Sequence, residues 1–156
     1  MREYKIIRLT KDNFEKFKTI WVEPKNLERF QNRMNYWYKE LDKNNRIFFI
    51  YSSADEYLGE ASLIFDYGEP DYTILKKRIC LIEMTVKKGY RNLGIGGQII
   101  DYLFSYAKNL GYSEMSVGVN IDNYNARHLY EKKGFSEVIF EGEDENGKYV
   151  KLLKKL

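Results

Sequence analysis

The chain has 156 residues, of which 44% are hydrophobic and 31% charged, a balance ordinary for one globular domain. It carries 26 basic and 23 acidic residues, and this net charge of +3 argues against nucleic acid or a membrane surface as its partner. The single cysteine, Cys80, excludes an intrachain disulfide and a cysteine-cluster zinc site. The amino terminus lacks the apolar core of a signal peptide, and no apolar run approaches the ~20 residues that span a bilayer. We therefore expect one cytoplasmic domain over residues 1–156.

Hydrophobic periodicity predicts strands and helices that alternate along the chain. Strand character is found at residues 4–9, 46–52, 56–66, 79–86, 115–120, 138–141 and 149–153. Three- and four-residue spacing of apolar side chains predicts a helix after residue 13 with Pro24 as its break, and further helices at 27–41, 95–110 and 123–133. Gly111 and Gly134 stand where the last two helices end, and Asn146-Gly147 predicts a hairpin between the last two strands. Residues 71–78 fit either a loop or the frayed start of the strand that follows.

A glycine-rich loop joins the predicted strand at 79–86 to the helix that follows it, with the sequence Arg91-Asn92-Leu93-Gly94-Ile95-Gly96-Gly97. The first amides of a helix lack intrahelical partners, and the helix dipole adds roughly half a positive charge there, so this point binds anions such as phosphate. Glycine at 94, 96 and 97 leaves no Cβ to block a bulky diphosphate, and Arg91 adds a cation at the rim. The spacing excludes a Walker loop, which needs Lys-Ser or Lys-Thr after its last glycine, and a dinucleotide fingerprint, whose third glycine would fall on Ile99.

A second block lies about thirty residues further on, with the sequence Asn123-Tyr124-Asn125-Ala126-Arg127-His128-Leu129-Tyr130-Glu131-Lys132-Lys133-Gly134-Phe135. Together with Arg-x-x-Gly-x-Gly after Val86, this block resembles the coenzyme A signature and the Asn-x-x-Ala...Tyr-Glu-Lys-x-Gly-Phe segment of the GNAT superfamily of N-acetyltransferases. The resemblance covers residues 79–135. It implies an α/β (α+β) fold in a single domain, with a mixed, mostly antiparallel sheet of about six to seven strands and helices on both faces.

The resemblance also implies acetyl-CoA as the co-substrate and no metal. Amides of the glycine loop would hold the diphosphate, and the edge of the strand before it would bind the pantetheine arm as an added strand. The N–H of Met84 would polarise the thioester carbonyl, and Asn123 would bond an amide of the arm. The expected coenzyme-binding residues are Met84, Thr85, Val86, Arg91, Asn92, Leu93, Gly94, Ile95, Gly96, Gly97, Asn123, Asn125, Ala126 and Tyr130.

Tyr130 matches the tyrosine that protonates the departing thiolate in the family. A phenol suits this role because its reference pKa of about 10 lies a little above that of an ordinary thiol. Taken alone, the same residue also fits a core aromatic. His128 falls on a different face of the predicted helix, and Cys80 has no sequence signal for a lowered pKa, so we expect neither to take part.

Glu83 is the only carboxylate on the predicted central strand and is our candidate for the base that takes a proton from the amine. The family usually places its base one or three residues upstream, where this chain has Ile82 and Cys80. A surface role for Glu83, a base from a loop, and transfer without a base therefore stay open.

The amine acceptor is left open by the sequence. A small-molecule amine, a peptide amino terminus, lysine, a polyamine and an aminoglycoside all fit, because residues 11–45 and 66–78, which would set specificity, match no motif. The resemblance places the helix at 27–41 beside the acceptor pocket, so that Trp37 or a nearby tyrosine touches substrate, although its apolar stripe also fits core. The alternative function is a non-catalytic module of the same fold that binds or senses acyl-CoA. The family often forms homodimers, and dispersed cations and aromatics argue against a nucleic-acid partner.

Overall fold

Strands and helices alternate along the chain in a computed structural model of the protein. The structure describes residues 4–20, 27–54, 56–69 and 71–156, without the side chains of residues 19 and 20. The strands are β1 (Tyr4–Arg8), β2 (Arg46–Ser53), β3 (Glu56–Ile64), β4 (Arg78–Val86), β5 (Glu114–Asn120), β6 (Glu137–Asp144) and β7 (Gly147–Lys155). The helices are α1 (Phe14–Ile20), α2 (Leu27–Asp42), α3 (Ile95–Asn109) and α4 (Tyr124–Lys132). The predicted strands and helices are confirmed, with ends that differ by a few residues at most. The predicted break at Pro24 lies outside the described residues.

The described residues form one seven-stranded sheet with the order β1-β2-β3-β4-β5-β7-β6. Neighbouring strands are antiparallel except for β4 and β5, which are parallel because α3 carries the chain back across the sheet. Residues 71–77 form turns, with one isolated bridge between Ile74 and Arg78, and β4 begins at Arg78, so the stretch before it is a loop rather than a strand start. In the β6–β7 hairpin, Asp144 accepts a hydrogen bond from the Asn146 amide at 2.8 Å, and Gly147 has a φ of 106°. The mixed, mostly antiparallel sheet implied by the family resemblance is confirmed.

β4 and β5 separate before either strand ends. Their paired register stops at Leu81 opposite Val117, although β4 continues for five more residues and β5 for three. Beyond this point β4 bulges, because it has one more residue between Ile82 and Thr85 than the facing stretch of β3. Glu83 lies in the bulge with a φ of 51°, a region that residues other than glycine seldom adopt. The sheet therefore opens in its middle, between the free edges of β4 and β5.

Hydrophobic side chains pack on both faces of the sheet. α3 and α4 cover one face, where Ile99 and Leu103 are almost fully buried. α1 and α2 cover the other face, where the rings of Trp37 and Phe48 lie 4.5 Å apart. Trp37 is only 2% exposed, so it belongs to the core, and of the two expected substrate contacts the nearby tyrosine is the one left open. In the described part of the chain, no helix combines the length and the apolarity needed to cross a bilayer.

Candidate active site

The amino-terminal end of α3 forms an anion-binding point. Gly94 caps the helix with a φ of 81°, and its carbonyl accepts from the Gln98 amide at 3.1 Å as the first intrahelical bond. The N–H groups of residues 95–97 therefore have no hydrogen-bond acceptor within the helix. No acidic residue lies in the first turn to repel a bound anion. Arg91 is exposed at the rim, where its Nε donates to the Val86 carbonyl at 3.0 Å. These groups suit a diphosphate, as the sequence predicted.

Gly96 and Gly97 also lie close to α4 and to the residue that follows it. A Cβ at Gly96 would lie 3.0 Å from Leu129 Cδ2, and a Cβ at Gly97 would lie 3.1 Å from Lys133 Cε. The missing side chain at Gly96 thus lets α3 pack closely against α4, whereas at position 97 the contact is with the flexible end of a lysine. Of the glycines at 94, 96 and 97, Gly94 alone combines a left-handed backbone with open space around its missing side chain.

The free edge of β4 presents backbone groups toward the opening in the sheet. The Lys87 amide donates to the Leu58 carbonyl of β3 at 2.8 Å. Because backbone groups alternate along a strand, the amides of Val86 and Met84 face away from β3, toward the side where the β5 ladder has ended. The same alternation turns the backbone of Thr85 toward β3. Of the three expected strand contacts, Met84 and Val86 thus keep free edge groups, whereas Thr85 offers only its exposed side chain.

Two cavities meet at this opening. The first has a volume of about 450 Å³ and is lined by Tyr67, Glu69, Tyr72, Met84, Gly118, Val119, Asn120, Asn123, Ala126, Tyr130, Asp144 and Tyr149. The second has a volume of about 420 Å³ and is lined by Tyr36, Glu40, Arg46, Ile64, Tyr67, Tyr72, Cys80, Leu81, Ile82, Glu83, Val117, Gly118 and Tyr130. The residues common to both are Tyr67, Tyr72, Gly118 and Tyr130, so the two cavities form one cleft that runs through the split sheet.

Tyr130 lies where the two cavities join. Its ring packs edge-on against Phe135 with centroids 5.7 Å apart, and the residue is 7% exposed. Burial, with a smaller contribution from Cys80, raises the pKa of Tyr130 to about 12. The phenol therefore stays protonated at every physiological pH and can donate to a group in the cleft. It is packed like a core aromatic and also lines the site, so both sequence interpretations describe part of its position.

The bulge in β4 turns the Glu83 side chain into the second cavity. Its carboxylate pairs with the guanidinium of Arg46, whose side chain is 2% exposed while that of Glu83 is 54% exposed. Arg46 also lies over the Phe48 ring at 4.3 Å, so the pair is anchored in the sheet. The sequence named Glu83 but not its partner, because Arg46 lies on β2, 37 residues earlier.

The second sequence block lines the first cavity in part. Asn123 caps α4, with its Oδ1 accepting from the Ala126 amide at 3.3 Å, and both residues face the cavity. Asn125 is exposed and lines neither cavity. His128 is exposed on α4 and likewise lines neither cavity.

Cys80 lines the second cavity, but its thiol is buried. Burial raises the pKa of Cys80 to about 12, which leaves little thiolate at neutral pH.

The outer walls of the cleft come from residues that carried no sequence motif. Tyr36 and Glu40 of α2 and Tyr67, Glu69 and Tyr72 of the β3–β4 loop fall in the two segments expected to set specificity. Asp144 and Tyr149 of the β6–β7 hairpin were missed. Tyr36 fits the tyrosine expected near Trp37, and the fourteen tyrosines of the chain were the other available signal, because they fit pocket walls as well as core.

Comparisons with known proteins agree with this geometry. The family model described as Acetyltransferase (GNAT) family matches residues 8–135. No curated protein gives a significant match. Among solved structures, a chimera of the Vibrio cholerae spermidine N-acetyltransferase SpeG and hSSAT has a TM-score of 0.72 and 15% identity, over 97% of this chain and 95% of its own. Aminoglycoside 6'-acetyltransferase type Ii has a TM-score of 0.71 and 18% identity, over 97% and 96%. The ribosomal-protein alanine N-acetyltransferase from Escherichia coli has a TM-score of 0.69 and 14% identity, over 98% and 94%. At these identities the likeness shows a shared fold.

Proposed function

The chain belongs to the GNAT family of acetyltransferases, and we propose that it transfers the acetyl group of acetyl-CoA directly to a primary amine. The observation that carries the proposal is the position of Tyr130, a buried and neutral phenol at the junction of two cavities in the split sheet. One cavity borders the free edge of β4 on the coenzyme side. The other opens between α2 and the β3–β4 loop and meets the first at the same point, so an amine in the joined cleft can reach the thioester there.

Acetyl-CoA supplies an activated thioester, and several features of the chain suit this molecule. The bare amides of residues 95–97 and the guanidinium of Arg91 would hold the diphosphate. The outward amides of Met84 and Val86 would bind the extended arm, and Asn123 lies on the wall beside it. These contacts hold the thioester carbonyl carbon at the point where the amine enters, which makes the attack effectively unimolecular once both substrates are bound.

Proton transfer is divided between two side chains in the proposed reaction. The Tyr130 phenol holds a proton at its Oη and delivers it to the departing sulfur. Glu83, on the second cavity, takes the proton that the amine loses, directly or through water. Its pairing with Arg46 fixes the carboxylate in the cavity wall, which supports this role. The alternative is a base from another element, and Glu40 of α2 is a carboxylate that lines the same cavity.

Release of free thiol from acetyl-CoA in the presence of a panel of primary amines tests the proposal. Turnover with one class of amine, and its loss in Tyr130→Phe but not in Tyr124→Phe, would support it. Tyr124 is the matched control, because it lies on the same helix but is 74% exposed. Tight binding of acetyl-CoA by calorimetry with a silent amine panel would favour the acyl-CoA-binding module instead. No heat with millimolar acetyl-CoA would overturn both.

A further inference from the structure

The outer wall of the first cavity is acidic and aromatic. Glu69 and Asp144 contribute carboxylates, and Tyr67 and Tyr149 contribute rings. No lysine, arginine or histidine is among the described residues that line this cavity. A wall of this composition attracts cations, because carboxylates and the faces of tyrosine rings both stabilise an ammonium group.

An ammonium group of the protein already occupies the base of this wall. Lys151 is 2% exposed, and its Nζ pairs with Glu69 and lies 3.7 Å from Asp71. The same Nζ lies 4.2 Å from the Tyr72 ring centroid. Burial alone would lower the pKa of Lys151, but the hydrogen bond to Glu69 and the charges of Glu69 and Asp71 raise it. This surrounding therefore holds an alkylammonium in its charged form.

Lys151 does not neutralise the wall. Lys151 contacts Glu69 and Asp71, and a third carboxylate, that of Asp144, lines the same cavity as Glu69. This side of the cleft therefore carries three carboxylates and one ammonium, a net charge of −2. The carboxylates of the second cavity are each paired with a cation, since Glu83 pairs with Arg46 and Glu40 pairs with Lys43 at 2.8 Å. The uncompensated negative charge therefore lies on the side of the cleft formed by the β3–β4 loop and the β6–β7 hairpin, beyond Tyr130.

We propose that the amine acceptor carries a second cationic group, which binds among Tyr67, Glu69, Asp144 and Tyr149 while the reacting amine lies at Tyr130. The acceptor is then an aliphatic diamine or polyamine, in which a flexible methylene spacer joins two ammonium groups. This inference rests on the proposed acetyltransferase function and specifies its substrate. A monoamine leaves the acidic wall unpaired, and an acceptor with a carboxylate in place of the second amine is repelled by it.

The first test compares acceptors that differ only in their far end. Butylamine, putrescine and γ-aminobutyrate present the same reacting amine with a methyl, an ammonium and a carboxylate. We expect kcat/KM for putrescine to exceed that for butylamine by about tenfold, with γ-aminobutyrate lowest. Equal kcat/KM for all three would overturn the inference while leaving the acetyltransferase proposal intact. Longer diamines and spermidine extend the series and locate the best spacing.

The second test needs no turnover and therefore separates the inference from the proposed function. Tetramethylputrescine has two tertiary nitrogens that cannot be acetylated, and its binding to the free protein is measured by calorimetry. We expect Asp144→Asn and Glu69→Gln each to weaken binding by about fivefold, and added salt to weaken it further. Asparagine at 144 can still accept from the Asn146 amide, and glutamine at 69 can still accept from Lys151, so both variants keep their local contacts.

Glu143→Gln is the matched control for the binding experiment. Glu143 precedes Asp144 on β6, so strand alternation places its side chain on the opposite face. It removes the same charge from the same hairpin, and binding should stay unchanged. Equal weakening by Glu143→Gln and Asp144→Asn, or no detectable binding to the unmodified protein, would overturn the inference. The ratio of putrescine to butylamine turnover should fall in the Asp144 and Glu69 variants and hold in the control.

Discussion

Substitution of Gly118 tests how Tyr72 is packed at the junction of the two cavities. Gly118 lies in β5, and a Cβ at this position would lie 2.2 Å from Tyr72 Oη and 3.0 Å from Tyr72 Cζ. Contacts this short force a movement, and Tyr72 is only 8% exposed, with its ring against the ammonium of Lys151. Gly118→Ala must therefore displace the Tyr72 ring, which forms part of both cavity walls.

The magnitude follows from two opposing effects. Overpacking a well-packed site lowers the free energy of unfolding by about 1–3 kcal/mol. Alanine in place of a strand glycine raises it by about 0.5–1 kcal/mol, so we expect a net loss. Tyr72→Phe removes the Oη atom, after which the shortest contact of the new Cβ becomes 3.0 Å. The double variant should therefore recover most of the loss, with a coupling energy of about 1 kcal/mol between the two positions.

Urea denaturation of the wild type, both single variants and the double variant gives this coupling directly. Kinetics at saturating acetyl-CoA should show a raised KM for the amine in Gly118→Ala and its recovery in the double variant. Calorimetry with CoA shows whether the substitution also affects coenzyme binding, because Gly118 and Tyr72 line the first cavity together with Met84 and Asn123. Purely additive losses, or a Gly118→Ala protein as stable as the wild type, would refute this account of the Tyr72 packing.

Three further predictions concern ionisable groups of the site and its support. Tyr130→Phe should lower kcat by about 10²-fold at unchanged coenzyme affinity. The loss in kcat should be the same from neutral pH to about pH 10, because the pKa of Tyr130 is raised to about 12. A variant with the wild-type kcat would remove the phenol from the mechanism. Glu83→Gln keeps a hydrogen-bond acceptor for Arg46 but should lower kcat/KM by about 10²-fold, whereas an unchanged kcat/KM would leave Glu83 a surface carboxylate. Burial raises the pKa of Glu60, although Arg33 and Tyr57 oppose this. The stability that Glu60 contributes is therefore fully present below the ordinary carboxyl pKa of 4.5, and it is lost as pH rises through the pKa of the folded state. The free energy of unfolding of Glu60→Gln relative to wild type should accordingly increase with pH above 4.5 in urea titrations, and a constant difference would contradict the shift.

Local signals made the coenzyme side of the molecule predictable. The loop before α3 combines a glycine that adopts a left-handed backbone with a helix start, and both features follow from a few adjacent residues. Gly111 ends α3 with a φ of 95°, as its position after the apolar stripe predicted. Such features depend on residue type and spacing, which the sequence displays directly.

Long-range contacts made the acceptor side unpredictable. Glu69 and Lys151 are 82 residues apart, and no pattern in either segment indicates that they pair. The sequence identified Glu83 as the carboxylate of the central strand, but its orientation depends on a bulge, which arises from the register between β3 and β4. Trp37 was assigned partly to the acceptor pocket because a helical stripe does not distinguish a core ring from one at its edge. Each miss concerns where two distant segments meet.

The parallel junction between β4 and β5 joins only four residue pairs, against seven between β5 and β7. The middle of the sheet is thus its least cross-linked part, and the edge groups of β4 and β5 beyond the paired register are available to another molecule in the gap. Any compound that fills the gap binds the folded chain and not the unfolded one, and at 100 times its Kd it adds about 2.7 kcal/mol to stability. Melting temperature therefore becomes a readout of occupancy. Heating the protein with acyl thioesters and amines, singly and in pairs, would rank the compounds that bind there before any turnover is measured.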